Sequence, residues 1–182
     1  MYTSEANIGI INKKCNIKNL VEDVVIDINS MADMHRIDIP DININISDSN
    51  IIYPSEYLYY CLIEIMKNSL VATKNKKNPI INVETIHDNN LSILKIKDNG
   101  IGIKEENKEN IWKFSYTTTK IDYKNKFDND FEKSNPISGF GYGLPISKIL
   151  LNTFNGDIKL YSQHNKGTET YILIDHQSDW KF

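Results

Sequence analysis

Residues 138–147 read SGFGYGLPIS, with Gly139, Gly141 and Gly143 at every second position and Pro145 close behind. This stretch narrows what the chain can fold into more than any other. A glycine gives up more backbone entropy on folding than any other residue and adds no side chain to a core. Three of them in five residues need a reason, and close approach of something to the backbone supplies one. Pro145 suits the first turn of a helix. The pattern therefore predicts a glycine loop opening into a helix, with backbone N–H groups turned toward an anion.

The rest of the chain bounds the setting. At 182 residues, with 40% hydrophobic and 25% charged residues, it is expected to form one domain, 1–182, with its own core. A formal net charge of -3 argues against nucleic acid as the main partner, which calls for a basic face. Cys15 and Cys61 stand far apart with no CxxC spacing, so they read as thiols of a reducing compartment. No apolar run approaches the roughly 18 residues of a membrane span. The opening MYTSEANIGI has the layout of neither a signal peptide nor a transit peptide.

Periodicity orders the elements. Apolar residues at Ile17, Leu20, Val21, Val24, Val25, Ile28 and Met31 predict a helix to about Arg36, with Asn16 available as its cap. DININIS (41–47) alternates strictly and predicts a half-buried strand. Pro54 and Ser55 open a second helix, which stops before Pro79. IINVETIHDNNLSILKIKDNG predicts a hairpin, and 104–113 a short charged helix. From Ser115 to Ser138 no period is sustained, as in a lid or binding loop. LPISKILLNTF then predicts a helix, followed by GDIKLYSQ and TETYILID as a last hairpin. The expected architecture is a two-layer α/β sandwich, a mixed sheet with helices on one face.

Four pieces carry polar chemistry. Glu64 and Asn68 lie four apart on the second helix and so share a face. DNGIGI (98–103) leaves the second strand of the first hairpin, FSYTTTK (114–120) heads the irregular segment, and the alternating glycines close it. Each alone has a structural reading: a solvated stripe, a turn, a loop. Their order and spacing together do not.

The order E-x-x-x-N, DxGxG, lid, GxGxG resembles the ATPase superfamily of gyrase, Hsp90, MutL and the histidine kinases. GFGYGLPIS, with EIMKNSLVAT, FSYT, IGIINKKCNI and GDIKLYS…GTETYI, resembles the mitochondrial pyruvate dehydrogenase kinases and the related branched-chain α-ketoacid dehydrogenase kinase. Tyr142 and Pro145 favour the pyruvate enzyme. The resemblance implies a Bergerat-type ATP-binding fold with a flexible ATP lid over about 115–143. It implies Glu64 as general base, Asn68 as the Mg²⁺ ligand and Asp98 as the partner of the adenine amino group. Gly100 and Gly102 would lie against the base, with Ala72, Ile103 and Thr168. Thr118, Thr119, Lys120, Gly139, Phe140, Gly141, Tyr142, Gly143 and Leu144 would complete the nucleotide site from the lid side. Each assignment agrees with the residue's own chemistry. An amide oxygen suits Mg²⁺, an acceptor-only carboxylate suits an amino group and repels the guanine carbonyl, and glycine N–H groups suit phosphates.

Two positions depart from the kinases. Tyr60 stands where they carry histidine, four residues before the base. Val71 stands where they carry arginine, three after the magnesium ligand, and Lys120 is a candidate to replace its charge. DNGIG and TTTK take the wider superfamily form. The kinases also have an N-terminal helical bundle that meets the lipoyl-bearing E2 core, and nothing here corresponds to it, so an excised nucleotide-binding domain is expected. By resemblance the setting is the mitochondrial matrix, the substrate the E1 component of a 2-oxo acid dehydrogenase, and a homodimer through the sheet is possible. Three other readings stay open: a nucleotide-gated ATPase clamp, a histidine-kinase catalytic domain, and a catalytically silent nucleotide-binding regulator.

Overall fold

A computed structural model describes residues 7–88, 91–118, 137 and 139–175. The chain opens with two strands, β1 (Asn7–Ile8) and β2 (Ile11–Asn16), which lead into helix α1 (Ile17–Met34). Strands β3 (Asp41–Asn45) and β4 (Asn50–Tyr53) follow, then helix α2 (Ser55–Thr73). The hairpin of β5 (Ile80–His87) and β6 (Leu91–Asp98) comes next. Helix α3 (Gly143–Thr153) and the hairpin of β7 (Gly156–Gln163) and β8 (Gly167–Asp175) end the described fold.

Five strands form the main sheet in the order β3-β5-β6-β8-β7, with only β3 parallel to its neighbour. Side chains alternate along β6 and β8, so Leu94, Ile96, Ile172 and Ile174 point to one face and are buried. The three helices cover that face. α2 lies deepest, touching α1, α3, β6 and β8. This explains why Leu58, Cys61, Leu62, Ile65, Met66, Leu70 and Thr73, spread around much of its circumference, are all buried. The expected mixed sheet with helices on one face is the observed architecture.

Three local expectations need correction. β1, β2 and β4 form a separate three-stranded antiparallel sheet that sequence periodicity did not indicate. The strands are short, and the β2–β4 register shifts between Asn12 and Cys15, so no run of alternation builds up. Three of its buried residues, Cys15, Ile51 and Tyr53, join the common core. Second, 104–113 is not one helix but two single 3₁₀ turns, Glu105–Asn107 and Asn110–Trp112. A highly charged segment with little to bury gains too little from packing to extend further. Third, β3 is an edge strand, and four of its five residues are exposed despite the alternation.

The entry to α1 is fixed by one side chain. Asn16 Oδ1 accepts from Asn19 N at 2.9 Å, and Asn16 Nδ2 donates to Asp48 Oδ1 at 2.6 Å. The cap thus ties the helix to the loop between β3 and β4. Replacing Asn16 with Ala is expected to cost about 1 kcal/mol, the usual value of an N-cap, read as a lower denaturation midpoint with an unchanged slope.

Candidate nucleotide site

Between α2, the end of β6, the β7–β8 turn and the start of α3 lies a cavity of about 430 Å³. Glu64, Asn68 and Ala72, one stripe of α2, form one wall. Asp98, Gly102, Ile103 and Thr168 form the floor, while Thr118, Gly139, Gly141, Gly143 and Leu144 close the other side. Residues from five separated stretches of sequence therefore meet at one opening. Thr119 and Lys120 lie outside the described residues. Phe140 points to solvent, 73% exposed.

Asp98 is the least accessible charged group of the site, 4% exposed at the end of β6. Its Oδ1 accepts from Gly100 N at 2.8 Å and its Oδ2 from Ser69 Oγ at 3.2 Å. Burial pushes its carboxyl above the usual carboxylate range. The N–H groups of Gly100 and Thr168, the Ser69 hydroxyl and the charge of Lys76 oppose that shift. Ser69 had not been singled out in the sequence. A serine on the buried side of an apolar helix, next to Asn68, was the available signal.

The turn after Asp98 is held by backbone and side-chain bonds together. Ile101 N donates to Ala72 O at 3.0 Å and Asn165 N donates to Ile101 O at 2.6 Å. Ile103 N donates to Ser162 Oγ at 2.8 Å, and Ser162 Oγ lies 2.9 Å from Thr168 Oγ1. Gly102 sits at φ +62°, and a Cβ there would collide with the Gln163 carbonyl. Only glycine meets both conditions. Gly100 packs beside Ala72 and Asp98.

The glycine loop has its own clamp. Gly141 adopts φ +78°, and a Cβ there would strike the Tyr116 backbone. Tyr142 turns toward residues 114–115: Ser115 Oγ donates to its Oη at 2.7 Å, and its ring lies 6.1 Å from that of Phe114. Residues 114–116 and 141–142 therefore meet directly. Lys148 of α3 stacks over Trp112, 4.8 Å from the ring centre, and adds a second tie.

On α2, Glu64 Oε1 pairs with Lys67 Nζ at 2.6 Å. Tyr60, one turn earlier, has its phenol raised by burial first and then by the charge of Glu64, so it stays protonated at neutral pH. Val71 lines the cavity on the same wall. Asn68, one turn on from Glu64, lines the same wall, and its amide oxygen is the hard kind of ligand that Mg²⁺ takes. Among the described residues no cluster of three His, Cys, Asp or Glu side chains exists that would favour another metal.

Comparison with known proteins settles the family. The model of the histidine kinase-, DNA gyrase B- and HSP90-like ATPases matches residues 54–178. The chain belongs to that family. The matched stretch of this ATPase domain begins at α2 and takes in every wall of the cavity. The domain is also 28% identical over 180 residues to pyruvate dehydrogenase (acetyl-transferring) kinase isozyme 1, mitochondrial, of Homo sapiens, covering 92% of this chain and 40% of that protein. It is 28% identical over 190 residues to isozyme 3 of Mus musculus, covering 97% and 44%. To isozyme 4 of Mus musculus it is 28% identical over 182 residues, covering 93% and 43%. It thus spans about two fifths of the length of these relatives. The fold is that of an ATP-binding domain related to these kinases, and no helix among the described residues is long and apolar enough to cross a membrane.

The raised carboxyl of Asp98 has a sign that can be tested. The folded protein holds that proton more tightly than the unfolded chain, whose carboxyl keeps its ordinary value of 3.8. The stabilisation is full below that value and is lost as pH rises through the raised one. Asp98→Asn keeps an acceptor for Gly100 N and removes the buried charge. It is expected to melt higher than the parent at pH 7, with the gap closing as pH is lowered toward about 4, by thermal melts across pH.

Proposed function

We propose that this domain binds Mg·ATP and transfers the terminal phosphoryl group to a serine hydroxyl on the E1 component of a 2-oxo acid dehydrogenase, pyruvate dehydrogenase before the branched-chain enzyme. The observation that carries the nucleotide part is Asp98. A buried carboxylate that lines the cavity and is held by Gly100 N–H, the Ser69 hydroxyl and Thr168 N–H suits an amino group. Adenine offers one there and guanine offers a carbonyl. The protein-kinase part rests on similarity to relatives whose names carry that activity.

The chemistry follows from the walls. Gly102, Ile103 and Thr168 bound the base, and the glycine loop with the first N–H groups of α3 faces the phosphates. Asn68 holds the metal side, where bound Mg²⁺ would neutralise charge on the leaving phosphates. Glu64 takes the proton of the serine hydroxyl as that oxygen bonds to the terminal phosphorus. The bond from phosphorus to the bridging oxygen breaks, and its electron pair leaves with ADP. Tyr60, protonated throughout the working range, gives the base a neutral neighbour where the resembled kinases have a titrating one. Val71 leaves the phosphate side short of one cation, which favours slow turnover over lost binding.

Docking to a lipoyl-bearing E2 core belongs, in this reading, to a part of the protein beyond this domain. The matrix is its place because the relatives are named mitochondrial. The face of the main sheet opposite the helices is the natural surface for pairing with a second copy.

Calorimetric titration tests the site. Mg·ATP is expected to bind and Mg·GTP to bind at least about tenfold more weakly, with Asp98→Asn removing the difference by losing ATP. Glu64→Gln is expected to retain ATP binding while transfer to E1 falls about 10²–10⁴-fold, the usual contribution of a general base. Unchanged transfer in that variant would rule out Glu64 as the base.

A further inference from the structure

The base of the proposed reaction is not free in this structure. Glu64 and Lys67 form their 2.6 Å pair with side chains only 16% and 14% exposed, so this is not a solvated surface contact. The second carboxylate oxygen, Oε2, lies against Gly143, the first residue of α3, so closely that a Cβ at 143 would strike it. Glu64 is thus held between an ammonium group and the start of an 11-residue helix. Both attract anions, one by its charge and one by the partial positive charge of its unpaired N–H groups. Gly143 lines the cavity together with Glu64, and Lys67 stands just behind that wall, within reach of it through the carboxylate it pairs with.

We infer that Lys67 is a nucleotide-sensing positioning residue: it masks Glu64 in the empty site and is drawn off by the terminal phosphate of ATP, which frees the base only when a transferable group is present. The inference rests on the nucleotide-site reading above. A carboxylate oxygen engaged by an ammonium at 2.6 Å is a poor proton acceptor, because that lone pair is already committed. Lysine carries its charge on a flexible four-carbon stem, so it can change partners without moving α2. A terminal phosphate carries more charge than a carboxylate and competes well for it. ADP lacks that group and leaves the pair closed. Base activation is thereby tied to the nucleotide that can react.

Four proteins decide the matter: the parent, Glu64→Gln, Lys67→Gln and the double variant, each shown folded by circular dichroism and titrated with Mg·ATP and Mg·ADP. Glu64→Gln releases Lys67 and is expected to tighten ATP about tenfold while leaving ADP within about twofold. That is the factor expected if the competent arrangement is populated about one time in ten in the parent. In the Lys67→Gln background the same change is expected to gain no more than about twofold, the remainder due to simple charge repulsion. A gain just as large without Lys67 would mean repulsion rather than masking, and would overturn the inference. So would an equal gain for ADP. Failure of the folded parent to bind either nucleotide would remove the nucleotide site itself, and this role with it. Binding of ATP with no response to Glu64→Gln would leave the site standing and remove only the role of Lys67.

Discussion

A single carboxylate placed inside the protein organises the rest. Asp98 ends the central strand β6 and is buried beneath α2, where an ionised group costs free energy unless its oxygens are engaged. Ser69 supplies one donor from α2 and Gly100 supplies another from the turn that follows. This requires α2 to lie over the end of the sheet and the chain to turn back immediately after the strand. The turn is then locked to α2 through Ala72 O and to the β7–β8 turn through Asn165 N. Remove the carboxylate, and the tight turn with its left-handed Gly102 loses its purpose.

α2 has to serve two surfaces at once. Leu58, Leu62, Met66 and Leu70 fill the common core, while Glu64, Asn68 and Ala72 face the cavity. Ser69 stands at the seam between them, a buried hydroxyl that gives the core a polar contact with the site. This division accounts for a helix with buried residues over much of its circumference and one polar stripe. Burial has a cost here: it raises the Asp98 carboxyl and makes its charge a burden to the fold at neutral pH.

The glycine-loop side is arranged differently. There the glycine loop contributes backbone, and its position is set by contacts at its ends. Tyr142 holds to Ser115 and Phe114, Gly141 to Tyr116, and Lys148 of α3 to Trp112. Two aromatic residues and a serine with no obvious role in the sequence thus tie residues 114–116 to the glycine loop. Glu64, pressed on Gly143, links this side to α2.

Much of this was legible in the sequence because it is written in short-range patterns. The period of α1, the alternation of β5, β6 and β8, the Asn16 cap and the alternating glycines each concern residues within a few positions of one another, and such patterns survive in any one sequence. Glu64 and Asn68 could be placed on one face from helical spacing alone. What the sequence could not decide depended on pairing across long separations. The β2–β4 pairing is bulged and too short to leave a period, and the charged segment at 104–113 had nothing nearby to say how little it would bury. Ser69 as the donor to Asp98, 29 residues away, and Ser115 as the donor to Tyr142, 27 away, exist only once the sheet has brought the helices together. The sequence determined which elements form and which chemistry they carry. Tertiary packing decided which of those groups are buried and which meet, because burial and hydrogen-bond partnership belong to the assembled core rather than to any stretch of chain.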